Sequence, residues 1–544
     1  MRARKLLVTP LVAAALFAGC RPGVMAMDQV KQHTVFEARA FAEGDYANPL
    51  FDISVRAVFL SPNGEEVSVP AFWDGESVWC VRFAPHELGP WRWHFESEPA
   101  DAGLKEAMGE FECVAYDGDN PVLRGGHLRL SGNHRYLVDS TGKPFFWMGD
   151  TAWNGVMRAT EEDWAEYLRA RRDQGFTVIQ FVCTHWRGLT HDPKGEQAYT
   201  GTNPLRINPA FFQRLDRKVA MINEYGLVGA GVLLWAVMPN DPGNELSEKD
   251  AIALARYIVA RWEAHAMVWF LGGDSNYTGD RAERWRHIGR GVFEGLQDQV
   301  VTLHPCGRSW PLGDFKDERW YDFVGYQSSH GAGEDTLKWL AEGPPAQDWR
   351  KDPPRPFINL EPNYEAHPAY GHKHTFNDFD VRRALYWSLL NAPTAGVSYG
   401  HNYIWTWNYK PAVPEGHPDI GVVPTWREGL HAPAAEQVRY LRKFFDGIEW
   451  WRLVPAPDLL AAQPGEQDVR HFVMASASKE RDLVVVYTPG GPVKLKADAL
   501  KRPAQAQWYD PRTGKTAPAA DLAEGTVELT PPGEGDWLLL ITSK

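Results

Sequence analysis

Hydrophobic and polar residues alternate with a period of two over residues 29–116. Apolar side chains recur at every second position in three stretches separated by turn signals such as Gly89-Pro90. The alternating apolar positions are Ile53, Val55, Ala57 and Phe59, then Trp79, Val81 and Phe83, then Trp91, Trp93 and Phe95. Short alternating strands of this kind are typical of an antiparallel sandwich. The pattern predicts an N-terminal immunoglobulin-like β-sandwich domain over residues 29–118.

After a polar linker at residues 117–121 the rhythm changes to apolar strands alternating with segments of helical period. One such helical face carries Trp164, Tyr167, Leu168 and Arg171, and Thr160 is placed to cap its start. The predicted strands are 145–148, 178–182, 227–235, 267–274, 300–304, 323–327, 357–361 and 396–400. Eight strand–helix units predict an α/β fold, a (β/α)8 TIM barrel over residues 119–454.

The chain returns to β patterning from about residue 455. Residues 483–487 and 537–541 are short apolar runs, and residues 508–514 form a strand followed by a turn. The pattern predicts a small C-terminal all-β domain over residues 455–544. Carbohydrate binding and a purely structural role both stay open for it.

Composition narrows the class of protein. The 544 residues are 44% hydrophobic, which is enough for a large core and two or three domains. A formal net charge of −13 argues against nucleic acid or an anionic membrane surface as a partner. The 24 Trp, 19 Tyr and 25 Phe residues are mostly expected in the core, but those at a cleft are candidates for stacking on sugar rings.

The first twenty residues carry an export pattern. A basic start at residues 2–5 precedes an apolar run at 6–18 and the segment Phe17-Ala18-Gly19-Cys20. Residues 1–20 resemble a bacterial lipoprotein signal in which Cys20 is lipidated, and an ordinary secretory signal is the alternative. Either interpretation predicts export, to the periplasm or to an outer-membrane anchor. The lipid at Cys20 would be the only membrane attachment, because no later apolar run is long enough to span a bilayer.

Four cysteines remain after Cys20, namely Cys80, Cys113, Cys183 and Cys306. They are too few and too scattered for a disulfide framework or a zinc knuckle. Pairing of Cys80 with Cys113 stays open, since an exported protein can form disulfides.

Two predicted strands end in carboxylates. The fourth runs into Gly272-Gly273-Asp274, and the seventh ends at Glu361. Barrel active sites lie at the carboxyl ends of the strands, so the two side chains are expected to face one cleft. One carboxyl can protonate a leaving oxygen while the other attacks or stabilises the sugar cation, which is glycoside hydrolysis without a metal or cofactor. Two alternatives stay open: Asp274 as a helix cap, and Glu365 in place of Glu361.

Other polar and aromatic residues near the predicted strand ends are candidates for substrate binding. The polar candidates are Asp150, His185, His304, Gln327, His330, Glu365 and His401. The aromatic candidates are Trp153, Trp186, Trp235, Tyr326, Tyr364 and Trp405. For Asp150, a structural hydrogen bond is an equal alternative. Trp405 and Trp407 are candidates for stacking on a sugar ring, with core packing as an equal alternative.

Several motifs resemble a known family. They are Trp147-Met148-Gly149-Asp150-Thr151-Ala152-Trp153, Leu271-Gly272-Gly273-Asp274, Glu361-Pro362-Asn363-Tyr364-Glu365 and Tyr399-Gly400-His401-Asn402. They are similar to those of the apiosidase-like barrels of glycoside hydrolase family 140. The resemblance implies an aspartate and a glutamate as the catalytic pair, matching Asp274 and Glu361, and apiose-containing pectin such as rhamnogalacturonan II as substrate. The placement after strands four and seven also resembles retaining barrel glycosidases, although most of those carry Asn-Glu where this chain has Gly273-Asp274.

Other functions fit the sequence less well than glycoside hydrolysis. A metal-dependent barrel hydrolase is disfavoured because strand one ends in Met148-Gly149-Asp150 rather than His-x-His, and no His-Glu-x-x-His occurs. Phosphate chemistry is disfavoured by the lack of a glycine-rich loop followed by lysine. A non-catalytic surface glycan-binding protein on a barrel scaffold remains an alternative, as does a retaining glycosidase of another specificity.

Overall fold

The computed structural model describes residues 28–296 and 299–543. The predicted signal segment 1–20, with the lipidation site Cys20, lies outside the described residues. Within the described ranges, no helix combines the length and the apolar character needed to cross a membrane.

The N-terminal segment forms two facing β-sheets. Five strands, in the spatial order Gln29–Lys31, Met108–Val114, Gly89–Glu98, Ser54–Leu60 and Glu66–Pro70, make one sheet. The other sheet contains Phe36–Phe41, Val78–Phe83 and Phe72–Gly75. Alternate side chains of both sheets meet in one core that includes Phe59, Val81 and Trp91. The predicted sandwich is confirmed. Short helices at Pro49–Asp52 and Ala102–Lys105 flank its sheets.

Eight parallel strands form the central barrel. They are β1 (Trp147–Thr151), β2 (Val178–Val182), β3 (Val228–Trp235), β4 (Met267–Ser275), β5 (Val300–Pro305), β6 (Val324–Gln327), β7 (Phe357–Glu361) and β8 (Gly396–Gly400). Their hydrogen-bonded order is β5-β4-β3-β2-β1-β8-β7-β6. Nearly all of their residues are buried, because helices cover the outer face while side chains fill the interior. The predicted TIM barrel is confirmed.

A side chain completes the ring between β5 and β6. Thr302 donates its hydroxyl to the Phe323 carbonyl at 2.6 Å and accepts from the Gly325 N–H at 3.0 Å. The Asp322 N–H also donates to the Val301 carbonyl at 2.9 Å. The closed ring has no exposed edge at this point, so the mouth is a single continuous rim.

Each strand is followed by a helix on the outside of the barrel. The helices are α1 (Glu161–Gln174), α2 (Pro209–Glu224), α3 (Glu248–Trp262), α4 (Asp280–Phe293), α5 (Leu312–Phe315), α6 (Glu334–Glu342), α7 (Asp378–Leu390) and α8 (Pro433–Asp446). Thr160 caps α1 by accepting from the Asp163 N–H at 3.2 Å, as the sequence predicts. The inward face of α1 is Trp164, Tyr167, Leu168 and Arg171, all buried.

Short elements decorate the barrel loops. They are strands Arg129–Leu130, Leu137–Val138, Pro144–Phe145, Tyr199–Thr200 and Arg206–Ile207, and helices Pro121–Gly125, Gly155–Arg158, Pro242–Glu245, Pro344–Asp348, Asn402–Thr406 and Trp426–Leu430. The loop after β2 contains the hairpin of Tyr199–Thr200 and Arg206–Ile207.

The C-terminal segment is all β. Its six-stranded sheet has the order Val454–Pro455, Met474–Ala477, Leu483–Thr488, Trp537–Ser543, Ala504–Tyr509 and Thr516–Pro518, and a two-stranded sheet pairs Val493–Lys496 with Thr526–Leu529. The predicted all-β domain is confirmed.

Buried ion pairs attach both flanking domains to the outside of the barrel. Arg82 of the sandwich and Arg261 of α3 each donate to Asp216 of α2 at 2.7 Å. At the other end, Arg382 of α7 pairs at 2.7 Å with Asp536, which directly precedes the strand Trp537–Ser543 of the C-terminal sheet. Removing one partner of such a pair lowers the free energy of unfolding, because the other charge stays buried without a partner. These contacts lie on the outer helices, and the barrel mouth is lined by residues of the barrel itself.

The four cysteines of the described residues form no disulfide. Cys80 and Cys113 are both free, as are Cys183 and Cys306. Cys80 packs with the large barrel core while Cys113 belongs to the sandwich core, so no disulfide joins them.

Candidate active site

Asp274 and Glu361 line one cavity of about 250 Å³ at the mouth of the barrel. The wall is made by residues from the carboxyl ends of all eight strands and from the loops that follow them. These residues are Trp153, Trp186, Arg187, Trp235, Asp274, Cys306, Gly307, Gln327, Ser329, His330, Glu361, Tyr364, His367, Tyr370, Trp405 and His417. The two carboxylates that the sequence separates by 87 positions therefore face a common space.

The backbone of β4 is irregular next to Asp274. Its register against β5 shifts twice, between Phe270 and Gly273 and again between Gly273 and Ser275. Asp274 itself has φ +49°, a left-handed value that is uncommon for a residue with a Cβ. A β-bulge re-aims the side chain that follows it. The irregularity turns the carboxylate into the cavity.

Steric crowding explains the two glycines before Asp274. A Cβ on Gly272 would lie 2.4 Å from the Tyr277 hydroxyl, and one on Gly273 would lie 2.5 Å from the Trp235 ring. Glycine in a strand often marks a sharp bend or the close approach of a ligand. The structure assigns the unusual φ to Asp274 and requires glycine because aromatic rings press on the strand.

Glu361 is delivered by a second bulge. The register of β7 against β6 shifts between the pairs Tyr326–Asn359 and Gln327–Glu361. Gln180 of β2 donates to the Leu360 carbonyl at 3.0 Å, which fixes the bulged peptide from inside the barrel. The Glu361 N–H donates to the Asn359 side chain at 3.2 Å.

Two imidazoles hold the Glu361 carboxylate. His330 Nε2 lies 2.8 Å from one carboxylate oxygen, and His304 Nε2 lies 3.3 Å from the other. Burial by itself would raise the pKa of Glu361, but hydrogen bonding and charge from the two histidines outweigh burial and lower that pKa below its ordinary value. Glu361 is therefore kept ionised.

Asp274 has the opposite environment. Burial raises its pKa most, the nearby negative charge of Glu361 raises it further, and Arg187 opposes both. The Arg187 guanidinium lies 3.5 Å from the carboxylate, beyond a strong hydrogen bond. A pair of carboxyls whose pKa values are pushed apart is what separates an acid from a nucleophile or base.

Most of the predicted aromatic and amide contacts reach the cavity. Those that line it are Trp153, Trp186, Trp235, Gln327, His330, Tyr364 and Trp405. His304 is fully buried behind Glu361 and acts on the carboxylate rather than on the open space. Trp235 Nε1 and Arg187 Nε are buried and have no hydrogen-bond partner among the described residues. Both residues nevertheless line the cavity.

Asp150 and Glu365 do not line the cavity, contrary to their prediction as substrate contacts. Asp150 is fully buried and pairs with Arg171 of α1 at 2.5 Å and with the Tyr167 hydroxyl at 2.5 Å. Glu365 accepts from the Ala434 N–H at the start of α8 at 3.1 Å and from the Tyr399 hydroxyl at 2.8 Å. Both carboxylates bind helices to the barrel, which favours Glu361 over Glu365 as the cavity carboxylate.

Three further predicted contacts lie elsewhere. Tyr326 is buried and packs against Trp310 and Trp339 outside the cavity lining. His401 caps the short helix Asn402–Thr406 by accepting from the Tyr403 N–H at 3.0 Å. His185 lines a neighbouring cavity.

Trp407, which had stacking and core packing as open alternatives, is fully buried. Its ring stacks on Trp426 with ring centroids 4.6 Å apart.

Sequence reasoning missed several lining residues. Arg187 directly follows the predicted contact Trp186, and its charge next to a strand end was a usable signal. His367, Tyr370 and His417 come from long loops after β7 and β8. No period or motif marks them, because only loop folding brings them over the mouth.

Comparisons with known proteins identify the family of the barrel segment. A family model described as "Apiosidase-like, catalytic domain" matches residues 131–452, more than half of the chain. Residues 29–98 match a domain of unknown function, and residues 454–542 match a proposed collagen-binding domain of a collagenase. No curated protein matches the chain in sequence.

Solved structures share the fold. One glycoside hydrolase has a TM-score of 0.68 at 22% identity, covering 79% of this chain and 99% of its own. A family 5 glycoside hydrolase from Bacteroides vulgatus has a TM-score of 0.69 at 22% identity, covering 78% and 95%. A further proposed glycoside hydrolase from the same organism has a TM-score of 0.69 at 18% identity, covering 95% and 100%. The segment that carries Asp274 and Glu361 is the segment that the family model matches, and the chain belongs to the apiosidase-like glycoside hydrolases.

Proposed function

We propose that this protein is a retaining glycosidase that removes a side-chain sugar from a plant or bacterial polysaccharide. Asp274 is the general acid and base, and Glu361 is the nucleophile. The observation that carries the proposal is the pair of carboxyls in one cavity with pKa shifts of opposite direction. A protonated acid and an ionised carboxylate on either side of a glycosidic bond are what this reaction needs.

The reaction proceeds in two displacements. Glu361 attacks the anomeric carbon while Asp274 gives its proton to the departing oxygen, so the glycosidic bond breaks as an ester to Glu361 forms. Asp274, now ionised, takes a proton from a water molecule that attacks the same carbon. The ester breaks, the free sugar leaves, and both carboxyls return to their starting states.

Apiose-containing pectin, such as rhamnogalacturonan II, is the proposed substrate. Support comes from the apiosidase-like family match and from a cavity walled by indole rings with buried, unpartnered donors. Assignment to glycoside hydrolase family 140 is proposed on the sequence motifs at residues 147–153, 271–274, 361–365 and 399–402. Aromatic walls stack on sugar faces, and Trp235 and Arg187 both line this cavity.

The test is a screen of pectic and hemicellulosic oligosaccharides with product analysis, followed by NMR of the first-formed anomer. Glu361→Gln is expected to lower kcat on the order of 10⁴-fold, and Asp274→Asn by about 10²–10⁴-fold. Glu365→Gln, four positions from Glu361, is the matched control and should keep wild-type rates. Binding without cleavage by wild type and both variants would instead support a glycan-binding protein. A product with inverted configuration at the anomeric carbon would exclude the covalent ester to Glu361.

We also propose that the protein is exported and anchored by a lipid on Cys20, on the strength of the signal-like residues 1–20. Cys20→Ser should release the protein from the membrane fraction and abolish labelling by a radioactive fatty acid. Unchanged membrane recovery with no labelling in the wild type would contradict the anchor.

A further inference from the structure

A second cavity of about 220 Å³ adjoins the catalytic one. Its wall is formed by the loop after β2 and by the start of the loop after β3. The lining residues are His185, Trp186, Thr190, Gln197, Tyr199, Thr200, Gly201, Thr202, Asn240 and Glu245. Trp186 lines both cavities.

The shared wall is held in place. The backbones of Trp186 and Leu189 exchange two hydrogen bonds of 3.1 and 2.9 Å across a tight turn, and Trp186 Nε1 donates to Asn154 at 2.9 Å. A Cβ on Gly188 would lie 2.4 Å from the indole, so the ring covers that glycine. The indole is therefore a fixed partition between two chambers.

The far wall is equally well built. The hairpin of Tyr199–Thr200 and Arg206–Ile207 is tied to α3, because Asp250 accepts from the Asn203 N–H at 2.7 Å and from the Leu205 N–H at 3.2 Å. The cavity is thus bounded by braced backbone on both sides, with no need for a loop to close over it.

His185 presents an unused donor to this cavity. It is 6% exposed, and its Nδ1 accepts from the Ala198 N–H at 3.2 Å. Burial lowers its pKa to about 4, so the ring is neutral and carries its proton on Nε2. That N–H has no partner among the described residues. Because His185 lines the cavity, its Nε2–H can donate to a ligand acceptor there.

The remaining groups suit a neutral sugar. Trp186 and Tyr199 supply aromatic walls, and the Tyr199 ring lies 4.7 Å from the His185 ring. The rim carries Asn240 and Glu245, the latter accepting from the Tyr199 hydroxyl at 2.9 Å. Carboxylate, amide and hydroxyl groups meet sugar hydroxyls, and the acidic Glu245 disfavours an anionic sugar.

We propose that the second cavity is a subsite for an uncharged sugar unit of the same oligosaccharide whose bond is cleaved next door. This inference rests on the proposed function, and it adds a requirement: the preferred substrate extends past the scissile bond by a further neutral residue that stacks on Trp186. The protein thereby selects an oligosaccharide side chain over a single sugar.

The experiment measures binding separately from cleavage. Calorimetry on the Glu361→Gln protein uses neutral di- to tetrasaccharides prepared from rhamnogalacturonan II and, separately, their component monosaccharides. His185→Ala and the rim variant Asn240→Ala test the cavity. The two carry different folding risks, since His185 accepts a backbone bond while Asn240 is exposed. His287→Ala, exposed on α4, is the matched control.

The expected result is a loss of about tenfold in oligosaccharide affinity for His185→Ala, a smaller loss for Asn240→Ala, and unchanged monosaccharide binding. Unchanged oligosaccharide affinity, an equal loss for monosaccharides, or oligosaccharides that bind no better than monosaccharides would overturn the proposal. If the wild type cleaves nothing but the variant pattern holds, hydrolysis fails and the subsite stands. Cleavage with no variant effect rejects the subsite alone.

Discussion

Strands β1 and β4 both carry a Gly-Asp pair near their carboxyl ends, yet their aspartates face opposite ways. Asp150 follows Gly149 in a strand whose register against both neighbours is unbroken. It points outward and pairs with Arg171 of α1. Asp274 follows Gly273 in a strand with two register shifts, and it faces the cavity.

Strand alternation explains the difference. Residues two apart on a regular strand share a face. Gly272 faces outward, since its Cβ would lie 2.8 Å from Trp285 of α4, so a regular β4 would send Asp274 outward too. Asn359 likewise donates to Ser388 of α7 at 3.0 Å, and a regular β7 would send Glu361 outward. In both strands a bulge reverses the outcome. Backbone irregularity, more than residue type, separates the cavity carboxylates from the structural one.

The sharpest way to break this comparison is to neutralise each aspartate in turn. Asp274→Asn should lower kcat by about 10²–10⁴-fold while leaving the free energy of unfolding unchanged or higher, because a costly buried carboxyl is removed. Asp150→Asn should lower the free energy of unfolding by about 3–5 kcal/mol, because Arg171 loses its buried partner. Kinetics and thermal denaturation of the same samples measure both. A large kcat loss in folded Asp150→Asn would refute its structural role.

The next test disturbs the bulge without touching a carboxylate. Gly273→Ala places a Cβ 2.5 Å from the Trp235 ring and 2.7 Å from Val232, so the strand must shift. A displacement near 1 Å at the reacting group should lower kcat by about 100-fold. Gly313→Ala, where a Cβ would meet nothing within 4 Å, is the control. Equal rates in both variants would show that the bulge does not position Asp274.

The pH profile of kcat/KM sharpens the comparison between Asp274 and Glu361. The reaction needs Glu361 ionised and Asp274 protonated, so Glu361 sets the acidic limb and Asp274 the basic limb. Arg187→Gln removes a charge that lowers the pKa of Asp274, and the basic limb should move to higher pH. His330→Gln removes a hydrogen bond that lowers the pKa of Glu361, and the acidic limb should move to higher pH. If Arg187→Gln moved the acidic limb and His330→Gln moved the basic limb, the roles of Asp274 and Glu361 would have to be exchanged.

The smallest effect on rate is expected at Glu365. Glu365→Gln keeps one acceptor for the start of α8 and should cost about 0.5–2 kcal/mol of the free energy of unfolding. Values of kcat/KM should stay within about threefold of wild type. Chemical denaturation and steady-state kinetics measure the two quantities. A fall in rate comparable to that of Glu361→Gln would return Glu365 to the catalytic pair.

Local patterns in the sequence were sufficient for the three-part architecture and for the strand ends. Apolar runs, some of them bounded by glycine or proline, located all eight barrel strands, because burial on both faces leaves a continuous hydrophobic signature. The same reasoning failed at Tyr326 and His401. It assumed that every polar group near a strand end faces the mouth, whereas the direction of each side chain depends on register.

By itself, the sequence determined the barrel, its two β-rich neighbours, and the placement of Asp274 and Glu361 at the ends of two barrel strands. Only the tertiary structure decided which way each strand-end side chain points, which histidines hold Glu361, and that His185 belongs to a second chamber behind Trp186. The physical reason is that the burial of a strand or helix can be predicted from the spacing of hydrophobic residues along the chain. Bulges, loop placement and the resulting electrostatics arise from contacts between residues far apart in sequence.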